Sequence, residues 1–488
     1  MESTVVADRI VSEDMQKSFA ALSGDRNPMH MDAIAARRTQ AGRPVVHGIH
    51  SVLWALECLA VKGILTIAPT RIRIRFIKWV YIGDLAVLLV PGNEPLNPKK
   101  LELQVDGMAV LAVELNYAEI TSSQVWVGAS PERPLETALD RSIEEFQDVH
   151  GDAYTAPAED AVSSFPSLSE IIGGSAISEI ASCSYIVGME GPGLHSMFSK
   201  ADLHLPHALE SSQPRCALHW EVTYTDVRFR KARIAVSGQS IHGILDVFFR
   251  VPPVRQASME LIARYVTPGE FAGMRALVVG GSRGLGELAA KVVAAGGGSA
   301  TITYAVGRAD AEATKEQIRS WGGDAKTMAY DVRKAAASQI RDLEAPPTHL
   351  FYFATNTIYR PKQGVLASSV LAEFMQFYVL GFHDLCVALT DPEARTTLPE
   401  GKLAVLYPST VFVDQRPAGM TEYAMVKAAG EQLCADMNIY LPGLQIFSPR
   451  LPKLPTDQTA GVIPERETDA LEALLPLVRG MNKVSLSE

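Results

Sequence analysis

Hydrophobic and polar residues follow different patterns in three successive sections of the chain. In the first section a helical pattern covers Glu13–Leu22, and the long apolar stretch His50–Leu65 predicts a buried helix. Strand-like segments follow at Arg71–Ile77, Leu85–Val90, Leu101–Val105 and Met108–Glu119. One buried helix and several antiparallel strands predict an α+β layer in which the helix lies against a curved sheet.

The second section, roughly 125–254, repeats this order. The apolar helical region Leu168–Val187 is followed by Ser196–Leu205, and strand-like runs return at Ala217–Val227, Arg233–Gln239 and Gly243–Phe249. Two sections with the same order indicate an internal duplication, although little residue identity links them.

The third section alternates strands with helices. Met274–Gly280 has the pattern of an apolar strand that ends in glycines, and Leu285–Ala295 has that of a helix. The alternation continues through Ala300–Tyr304, Ala311–Trp321, Ala325–Asp331, His349–Ala354, Leu403–Pro408 and Gly419–Leu441. This order predicts a parallel sheet flanked by helices. We therefore predict three domains, at 1–124, 125–264 and 265–488.

The composition is that of a globular protein with more than one domain. The chain has 488 residues, more than a single hydrophobic core accommodates, and 47% of them are hydrophobic. Its net charge of −10 and the lack of a long basic run argue against nucleic-acid binding. The N-terminus shows no signal-peptide pattern, and no run of about 18 apolar residues predicts a membrane span. Scattered cysteines without a CxxC pair indicate reduced thiols in a cytoplasmic protein without a zinc site.

A glycine-rich turn follows the first strand predicted in the third section. The turn contains Gly280, Ser282, Arg283, Gly284, Leu285 and Gly286. Glycines let the backbone turn tightly and approach a pyrophosphate closely, and the N-terminus of the next helix offers unpaired N–H groups to that anion. Because a strand precedes the turn and a helix follows it, we predict that this segment binds a nucleotide cofactor.

The end of the second strand distinguishes NAD from NADP. A carboxylate at that end would bond the ribose hydroxyls and repel a 2′-phosphate. No acidic residue stands between Thr303 and Asp310, and Arg283 and Arg308 could both face a phosphate. NADPH is therefore the predicted cofactor. In the alternative, both arginines are solvated surface residues.

Three polar residues farther along supply candidate chemistry for a reductase. Tyr423 and Lys427 lie four residues apart, on one face of a predicted helix, and Ser409 ends the strand before it. A carbonyl reductase needs an acid that protonates the carbonyl oxygen, and a nearby cation lowers the pKa of a tyrosine. We expect Tyr423 to be that acid and Ser409 to hold the carbonyl.

Together these residues resemble the short-chain dehydrogenase/reductase family. The matching positions are Gly280, Gly284, Gly286, Asp331, Val332, Ser409, Tyr423 and Lys427. The resemblance implies an α/β Rossmann domain with a doubly wound parallel sheet. It also implies that Asp331 lies near the adenine ring, that Lys427 bonds the nicotinamide ribose, and that the chain self-associates as a homodimer or tetramer.

Three features depart from that family. Ala354-Thr355-Asn356 stands where the family has Asn-Ala-Gly, and Tyr378 lies near the position of the asparagine in the family's proton relay. The segment after Pro449 is also short, which implies a reduced substrate-covering loop. These departures keep open an alternative in which this section is a nucleotide-binding or docking module without turnover.

A second candidate constellation lies near the N-terminus. Asp25 and His30 flank the turn made by Asn27 and Pro28, and a carboxylate and an imidazole that share one water can add it across an activated double bond or remove it. The N–H of Gly48, at the start of the apolar helix, would stabilise an enolate-like thioester oxygen. In the alternative interpretation Asp25 caps a helix, Asn27-Pro28 is a turn and His30 is a surface residue.

This constellation resembles the MaoC-like hydratases and dehydratases, which have the hotdog fold. The matching residues are Asp25, Asn27, Pro28, His30, Asp32 and Gly48. The resemblance implies (R)-specific handling of 3-hydroxyacyl thioesters, with Asp25 and His30 as the acid/base pair and with Asn27 and Gly48 at the substrate. The second section lacks the motif and is predicted to be a second, non-catalytic hotdog half.

Joined together, the two resemblances predict a bifunctional enzyme. A reductase would convert a 3-oxoacyl thioester into the 3-hydroxy compound, and a dehydratase would remove water from it, as in fatty-acid or polyketide-like metabolism. The expected partner is an acyl-CoA or acyl-carrier-protein thioester. Three alternatives stay open: only the hydratase/dehydratase turns over, the pair runs in the oxidative direction of multifunctional β-oxidation enzymes, or the first section binds acyl groups without chemistry.

Overall fold

The computed structural model describes residues 3–92, 96–118, 130–206, 217–358, 364–391, 402–457 and 468–485. These residues form two compact units that divide between Pro252 and Pro253. The predicted boundary at 264/265 is wrong, because Met259 and Ile262 are buried in a core of the second unit. The other predicted boundary, at 124/125, lies outside the described residues.

The first unit contains ten strands and seven helices in its described part. The strands are β1 (Ser3–Ile10), β2 (Arg71–Phe76), β3 (Leu85–Pro91), β4 (Lys100–Val105), β5 (Met108–Asn116), β6 (His150–Ala153), β7 (Ser196–His204), β8 (Leu218–Asp226), β9 (Lys231–Ser237) and β10 (His242–Phe249). The helices are α1 (Glu13–Ser23), α2 (Pro28–Met31), α3 (Ala33–Arg37), α4 (Gly48–Val61), α5 (Ala158–Ser164), α6 (Pro166–Ile172) and α7 (Gly174–Tyr185), and a π-helical turn, Ile186–Glu190, extends α7.

All ten strands form one sheet in which each neighbouring pair is antiparallel, in the order β1-β3-β4-β5-β2-β7-β10-β9-β8-β6. Counted outward from the central β2–β7 pair, both halves have the same order, because β2, β5, β4, β3 and β1 correspond to β7, β10, β9, β8 and β6. A long helix, α4 or α7, precedes the central strand of each half. The structure therefore repeats one arrangement, as the order of elements in the sequence predicted.

One continuous core holds the first unit together. Leu53 and Leu56 of α4, Ile177 and Ile180 of α7, and inward-facing residues of both halves of the sheet, such as Val113, are buried in it. α4 is apolar on almost every side, which is the pattern of a helix enclosed by other elements. Its burial places the first turn, at Gly48, at a fixed position in the fold.

The second unit alternates strands and helices. The strands are β11 (Arg275–Val279), β12 (Ser299–Tyr304), β13 (Asp324–Ala329), β14 (His349–Tyr352), β15 (Leu403–Leu406), β16 (Ser409–Thr410), β17 (Leu444–Phe447) and β18 (Arg450–Leu451). The helices are α8 (Met259–Ile262), α9 (Gly284–Ala295), α10 (Arg308–Ser320), α11 (Ala336–Gln339), α12 (Ser368–Met375), α13 (Gly381–Thr390), α14 (Phe412–Gln415), α15 (Thr421–Tyr440) and α16 (Ala470–Ser485). A π-helical turn, Gln376–Leu380, joins α12 to α13.

Six strands of this unit form a parallel sheet in the order β13-β12-β11-β14-β15-β17. Successive residues of β11 face two different cores: Ala276 and Val278 pack with α9 and α16, whereas Leu277 and Val279 pack with α13 and α15. Helices therefore cover both faces of the sheet, as predicted. The strand order reverses between β11 and β14, and ligands of such sheets bind at the carboxyl ends of the strands beside this point.

One helical stretch, Ser368–Thr390, is long and apolar enough to cross a membrane by length and composition. The bent pair Pro166–Ile172 and Gly174–Glu190 passes the same test jointly. Both contribute buried side chains to the cores, as Phe382 and Ile180 show, and core helices pass this test equally well.

Candidate active sites

The N-terminal constellation is built on the turn between α1 and α2. α1 ends at Gly24, whose φ of 79° few other residues adopt, and Asn27 caps α2 by accepting a hydrogen bond from the N–H of Met29 at 2.9 Å. Asn27 also donates from Nδ2 to the carbonyl oxygens of Gly188 and Gly193. The alternative interpretation in which Asp25 is the helix cap is wrong, because Asn27 performs that role and leaves Asp25 free for other contacts.

Asp25 is buried and both of its carboxylate oxygens are held. Oδ1 accepts the N–H of Asn27 at 3.1 Å, and Oδ2 accepts the hydroxyl of Ser184 at 2.7 Å. Burial raises the pKa of Asp25, while the charge of His30 and these two hydrogen bonds lower it. A carboxyl in this balance can exchange a proton nearer to neutral pH than an exposed one.

His30 and His47 complete a compact cluster with Asp25, and one ligand atom of each lies within 4.8 Å of the others. The prediction that Asp25 and His30 converge is therefore confirmed. Nδ1 of His30 lies 2.7 Å from the carbonyl oxygen of Val45. Because a carbonyl oxygen only accepts, Nδ1 carries the proton, and a neutral His30 keeps a lone pair on Nε2.

His47 packs against His30 and hydrogen-bonds the backbone of Asp25. It is fully buried, its ring centroid lies 4.0 Å from that of His30, and its Nε2 donates to the backbone oxygen of Asp25 at 3.0 Å. Burial is the largest cause that lowers the pKa of His47 well below its ordinary value, so this ring is neutral. The three side chains are close enough to share a metal ion, but hydrogen bonds already use both oxygens of Asp25 and Nε2 of His47.

Gly48 begins α4, as predicted. Its N–H has no hydrogen-bond partner among the described residues and belongs to the first turn of a fourteen-residue helix, where backbone N–H groups carry partial positive charge. The ring of Phe76 packs against Gly48 so closely that an added Cβ would lie 2.5 Å from it. Only glycine fits this position without displacing the aromatic ring.

The second half of the sheet supplies residues that sequence reasoning missed. Besides Ser184, which bonds Asp25, Gly188 lies so close that an added Cβ would be 2.3 Å from Asp25 Oδ1. Both residues belong to α7 and the π-helical turn that extends it. No local motif marks them, because their role depends on the packing of the second half against the first.

In the second unit, the predicted glycine turn connects β11 to α9. Gly280 has a φ of 77°, and an added Cβ there would lie 2.7 Å from the N atom of Ala354. A Cβ on Gly286 would lie 2.4 Å from the oxygen of Gly280. No side chain caps the N-terminus of α9, which leaves Leu285 and its neighbours in a turn that fits a phosphate group.

The two arginines predicted to face a 2′-phosphate differ in the structure. Arg308 is exposed at the start of α10. Arg283 instead donates to Asp457 at 2.9 Å and lies 3.9 Å from Asp310, which is buried in the first turn of α10. Ser282 is buried in the same turn. A phosphate would therefore compete with two carboxylates, Asp457 and Asp310, for Arg283.

Tyr423 and Lys427 lie one turn apart on α15, as predicted, and both are buried. Lys427 Nζ donates to the carbonyl oxygen of Pro408 at 2.7 Å and lies 4.4 Å from the ring centroid of Tyr378. Burial lowers the pKa of Lys427 to about 7. The expectation that a cation lowers the pKa of Tyr423 is wrong for this structure, because burial raises it.

Ser409 is engaged by another side chain. Its hydroxyl hydrogen-bonds the carboxylate of Glu431, which also accepts two hydrogen bonds from Arg450, at 2.8 and 2.6 Å. The predicted hydrogen bond from Ser409 to a substrate carbonyl would therefore require this contact to open. The hydroxyl of Tyr378 forms a hydrogen bond with that of Thr355, and its place near the relay position stays a prediction.

Asp331 and Val332 follow β13 near the same edge of the sheet. Val332 is buried, and the carboxylate of Asp331 forms a two-pronged ion pair with Arg333, at 2.9 and 2.8 Å. This hydrogen bonding lowers the pKa of Asp331, which is therefore ionised at neutral pH. Its predicted place beside an adenine ring stays a prediction.

The chain carries a MaoC-like domain, because residues 2–93 match the family described as "MaoC like domain". A search of curated proteins found no match. Among solved structures, the chain is similar to a 3-oxoacyl (acyl-carrier-protein) reductase from Agrobacterium tumefaciens C58 with NADP bound (22% identity, 39% of this chain and 74% of that one, TM-score 0.35). It is also similar to a short-chain dehydrogenase from Burkholderia cenocepacia J2315 in complex with NADP (21% identity, 43% and 91%, TM-score 0.37). A gluconate 5-dehydrogenase from the same organism shares 16% identity over 46% and 94%, with a TM-score of 0.39.

Proposed function

We propose that this chain, with its MaoC-like domain at residues 2–93, is a bifunctional enzyme of acyl-thioester metabolism. Its first unit adds water to a 2-enoyl thioester or removes it from the (R)-3-hydroxyacyl thioester, and its second unit reduces a 3-oxoacyl thioester with NADPH. The observation that carries the proposal is the cluster of Asp25, His30 and His47, directly followed in the chain by Gly48, whose N–H has no partner among the described residues. These are an acid/base pair and an anion-stabilising donor, as this reaction requires.

In the hydration direction, Asp25 and Nε2 of His30 hold one water molecule between them. The base takes one proton as the water oxygen bonds to C3 of the enoyl group, and the acid delivers one proton to C2. The net result is the addition of one water molecule across the double bond. Negative charge develops on the thioester oxygen, where the N–H of Gly48 stabilises it. The fixed proton on Nδ1 keeps the His30 ring in one orientation throughout.

Hydration of crotonyl-CoA, followed by the loss of enoyl absorbance, tests this assignment. We expect Asp25→Asn and His30→Ala each to lower kcat by at least about 100-fold, the lower range of general acid–base catalysis. Asp32→Asn is the matched control, because Asp32 is exposed and caps α3 through the N–H groups of Ile34 and Ala35. Unchanged hydration in Asp25→Asn would contradict the proposal.

The proposed reductase depends on the glycine turn and on Tyr423. Gly280 and Gly286 permit the tight turn between β11 and α9, and no side chain caps the N-terminus of α9, so the residues present fit a dinucleotide. When bound there, NADPH supplies hydride to the carbonyl carbon of the substrate. Tyr423 donates a proton to the carbonyl oxygen, and the adjacent Lys427 stabilises the tyrosinate that remains.

Oxidation of NADPH in the presence of acetoacetyl-CoA tests the second activity. Tyr423→Phe should abolish turnover and retain most of the cofactor affinity, because the phenol supplies the proton while the glycine turn and Lys427 still hold the nucleotide. Full activity in Tyr423→Phe would contradict the assignment. The contact between Ser409 and Glu431 favours a second candidate, a nucleotide-binding unit without turnover. NADPH binding without oxidation in the wild type would support that candidate.

The proposal extends to fold details and partners. In it, the two halves of the ten-stranded sheet are a pair of hotdog folds of which the second is non-catalytic, and the parallel sheet is a doubly wound Rossmann domain. Two observations support it: the two halves have the same strand order, and only the first half contains the Asp25–His30 motif. The acyl group would be carried by coenzyme A or a carrier protein, in a cytoplasmic homodimer or tetramer.

A further inference from the structure

A partly buried arginine, Arg9, lies against α4 in the MaoC-like half. Arg9 of β1 extends along the face of α4 that presents His50, Trp54 and Cys58, which are spaced four residues apart. Its guanidinium carbon lies 4.3 Å from the ring centroid of Trp54, and its Nη1 donates to Nε2 of His50 at 3.3 Å. Phe19 stacks on the ring of His50, with ring centroids 4.9 Å apart.

Two nitrogens of this guanidinium have no partner among the described residues. Nε and Nη2 of Arg9 are inaccessible to solvent and make no hydrogen bond, and Nδ1 of His50 is in the same state. Because Nε2 of His50 accepts from Arg9, the proton of the neutral ring is on Nδ1. All three unpartnered atoms are therefore donors, and only a group rich in acceptor oxygens would satisfy them.

The charge of Arg9 is also uncompensated. No carboxylate of the described chain forms an ion pair with Arg9, and burial lowers the pKa of its guanidinium to about 10. A buried charge without a counterion is costly, which is why buried arginines are normally paired. One anion would satisfy the donors and compensate the charge together.

The pair of free nitrogens selects the shape of that anion. Nε and Nη2 form the side of the guanidinium that matches both oxygens of a carboxylate. The same chain uses this side elsewhere: Arg71 donates from Nε and Nη2 to the two oxygens of Asp202, each at 2.6 Å. Arg333 holds Asp331 in the same manner, at 2.9 and 2.8 Å.

We propose that Arg9 and His50 form a binding site for a carboxylate at the far end of the acyl chain, so that the first unit prefers dicarboxylic acyl thioesters. This inference rests on the proposed function. The two places are close to each other: His30 stacks on His47, and Phe19 packs against His47, with ring centroids 5.1 Å apart, and stacks on His50. On α4 itself, His50 follows His47 by less than one turn.

The experiment compares three substrates in the full-length protein: crotonyl-CoA, trans-2-hexenedioyl-CoA and the ω-methyl ester of the latter. The ester has nearly the same length and lacks the terminal charge. We expect the wild type to hydrate the ω-carboxylate at least about tenfold more efficiently, in kcat/KM, than the ester. In Arg9→Met the efficiency with the ω-carboxylate should fall roughly 100-fold, because a bidentate charged contact is lost.

Two further variants separate charge from shape and position. Arg9→Lys keeps the positive charge and loses the two parallel N–H donors of the guanidinium. It should therefore retain only part of the preference for the ω-carboxylate. Arg228→Met removes an exposed arginine of the same unit and should leave all three rates unchanged. Crotonyl-CoA hydration should change less than about threefold in Arg9→Met, since Arg9 does not contact Asp25 or His30; this also verifies that the variant is folded.

Different failures are distinguishable. If the wild type hydrates crotonyl-CoA but does not distinguish acid from ester, or if Arg9→Met keeps the preference, the carboxylate site is refuted and the proposed function stands. If no substrate is hydrated by the wild type, the proposed function itself fails. Free adipate could also stabilise the wild type against heat and not stabilise Arg9→Met, while the wild type shows no preference for the ω-carboxyl substrate. That result would show that Arg9 binds a free anion and would overturn the proposal.

Discussion

At the scale of single residues, the first site depends on opposing effects at Asp25. Burial favours the neutral acid, whereas His30, Ser184 and the N–H of Asn27 favour the carboxylate. The sequence motif contains three of these four residues, and for that reason Asp25 and His30 could be predicted. Ser184 comes from 159 residues away along the chain, and no local pattern around it indicates the contact.

Ser184→Ala should lower hydration by about 10- to 100-fold, the range expected when a hydrogen bond to a charged group is lost. The loss of this bond also raises the pKa of Asp25, so the limb of the pH–rate profile that reports Asp25 should move to higher pH. A merely structural role would leave the profile in place. Ser182→Ala is the matched control, because Ser182 lies on the same helix and donates to Tyr154 instead.

Lys427 should make the stability of the second unit depend on pH. Its pKa is lowered from 10.5 to about 7, so the folded state binds fewer protons than the unfolded state between these values, and stability rises with pH across that window. The free-energy cost of burying the protonated ammonium of Lys427 is full below pH 7 and vanishes near pH 10.5. Lys427→Met removes the penalty, and its advantage over wild type in urea unfolding should shrink between pH 7 and 10. Exposed Lys334→Met is the control and should show no such trend.

At the scale of elements, the sequence pattern predicted those that local order defines. The eight-residue β1 was missed because it is an edge strand whose exposure shows no clean alternation, and β6 was missed because it is four residues long. The α9 turn and α4 could be predicted because glycine and apolar periodicity act locally. The engagement of Arg283 by Asp457 and of Ser409 by Glu431 could not, because each joins distant segments.

The start of α4 offers a test of how an element positions a site. Gly48→Ala places a methyl group 2.5 Å from the Phe76 ring, so the helix start must shift and hydration should fall at least about tenfold. If the effect is purely steric, Gly48→Ala combined with Phe76→Leu should recover most of the rate. Failure of the pair to recover would instead indicate that the helix start needs the backbone freedom of glycine.

At the scale of the whole molecule, the two units have separate cores and separate candidate sites. The sequence predicted this division in kind, since the change from one buried helix with antiparallel strands to strand–helix alternation marks it. The position was misjudged because 253–264 carries little pattern of its own, and its buried residues Met259 and Ile262 belong to the second unit.

Because the cores are separate, a ligand of the second unit should stabilise only that unit. In calorimetry we expect NADPH at 100 times its Kd to add about 2.7 kcal/mol to the unfolding free energy of one transition and to leave the other unchanged. NADH at the same concentration is the control for the 2′-phosphate. The proposed preference predicts a smaller increase in the unfolding free energy with NADH than with NADPH. An equal shift with both cofactors would contradict the preference for NADPH.

The hold of Ser184 and Gly188 on Asp25 has a consequence for how this sheet can evolve. In an assembly of two identical halves, every position must serve two duties, once beside the reactive groups and once opposite them. Here the two halves are successive parts of one polypeptide, so each position has a single duty and drifts under its own constraint. After such specialisation neither half can be lost, because the half that contains Asp25 and His30 does not contain Ser184 and Gly188, which fix the position of Asp25.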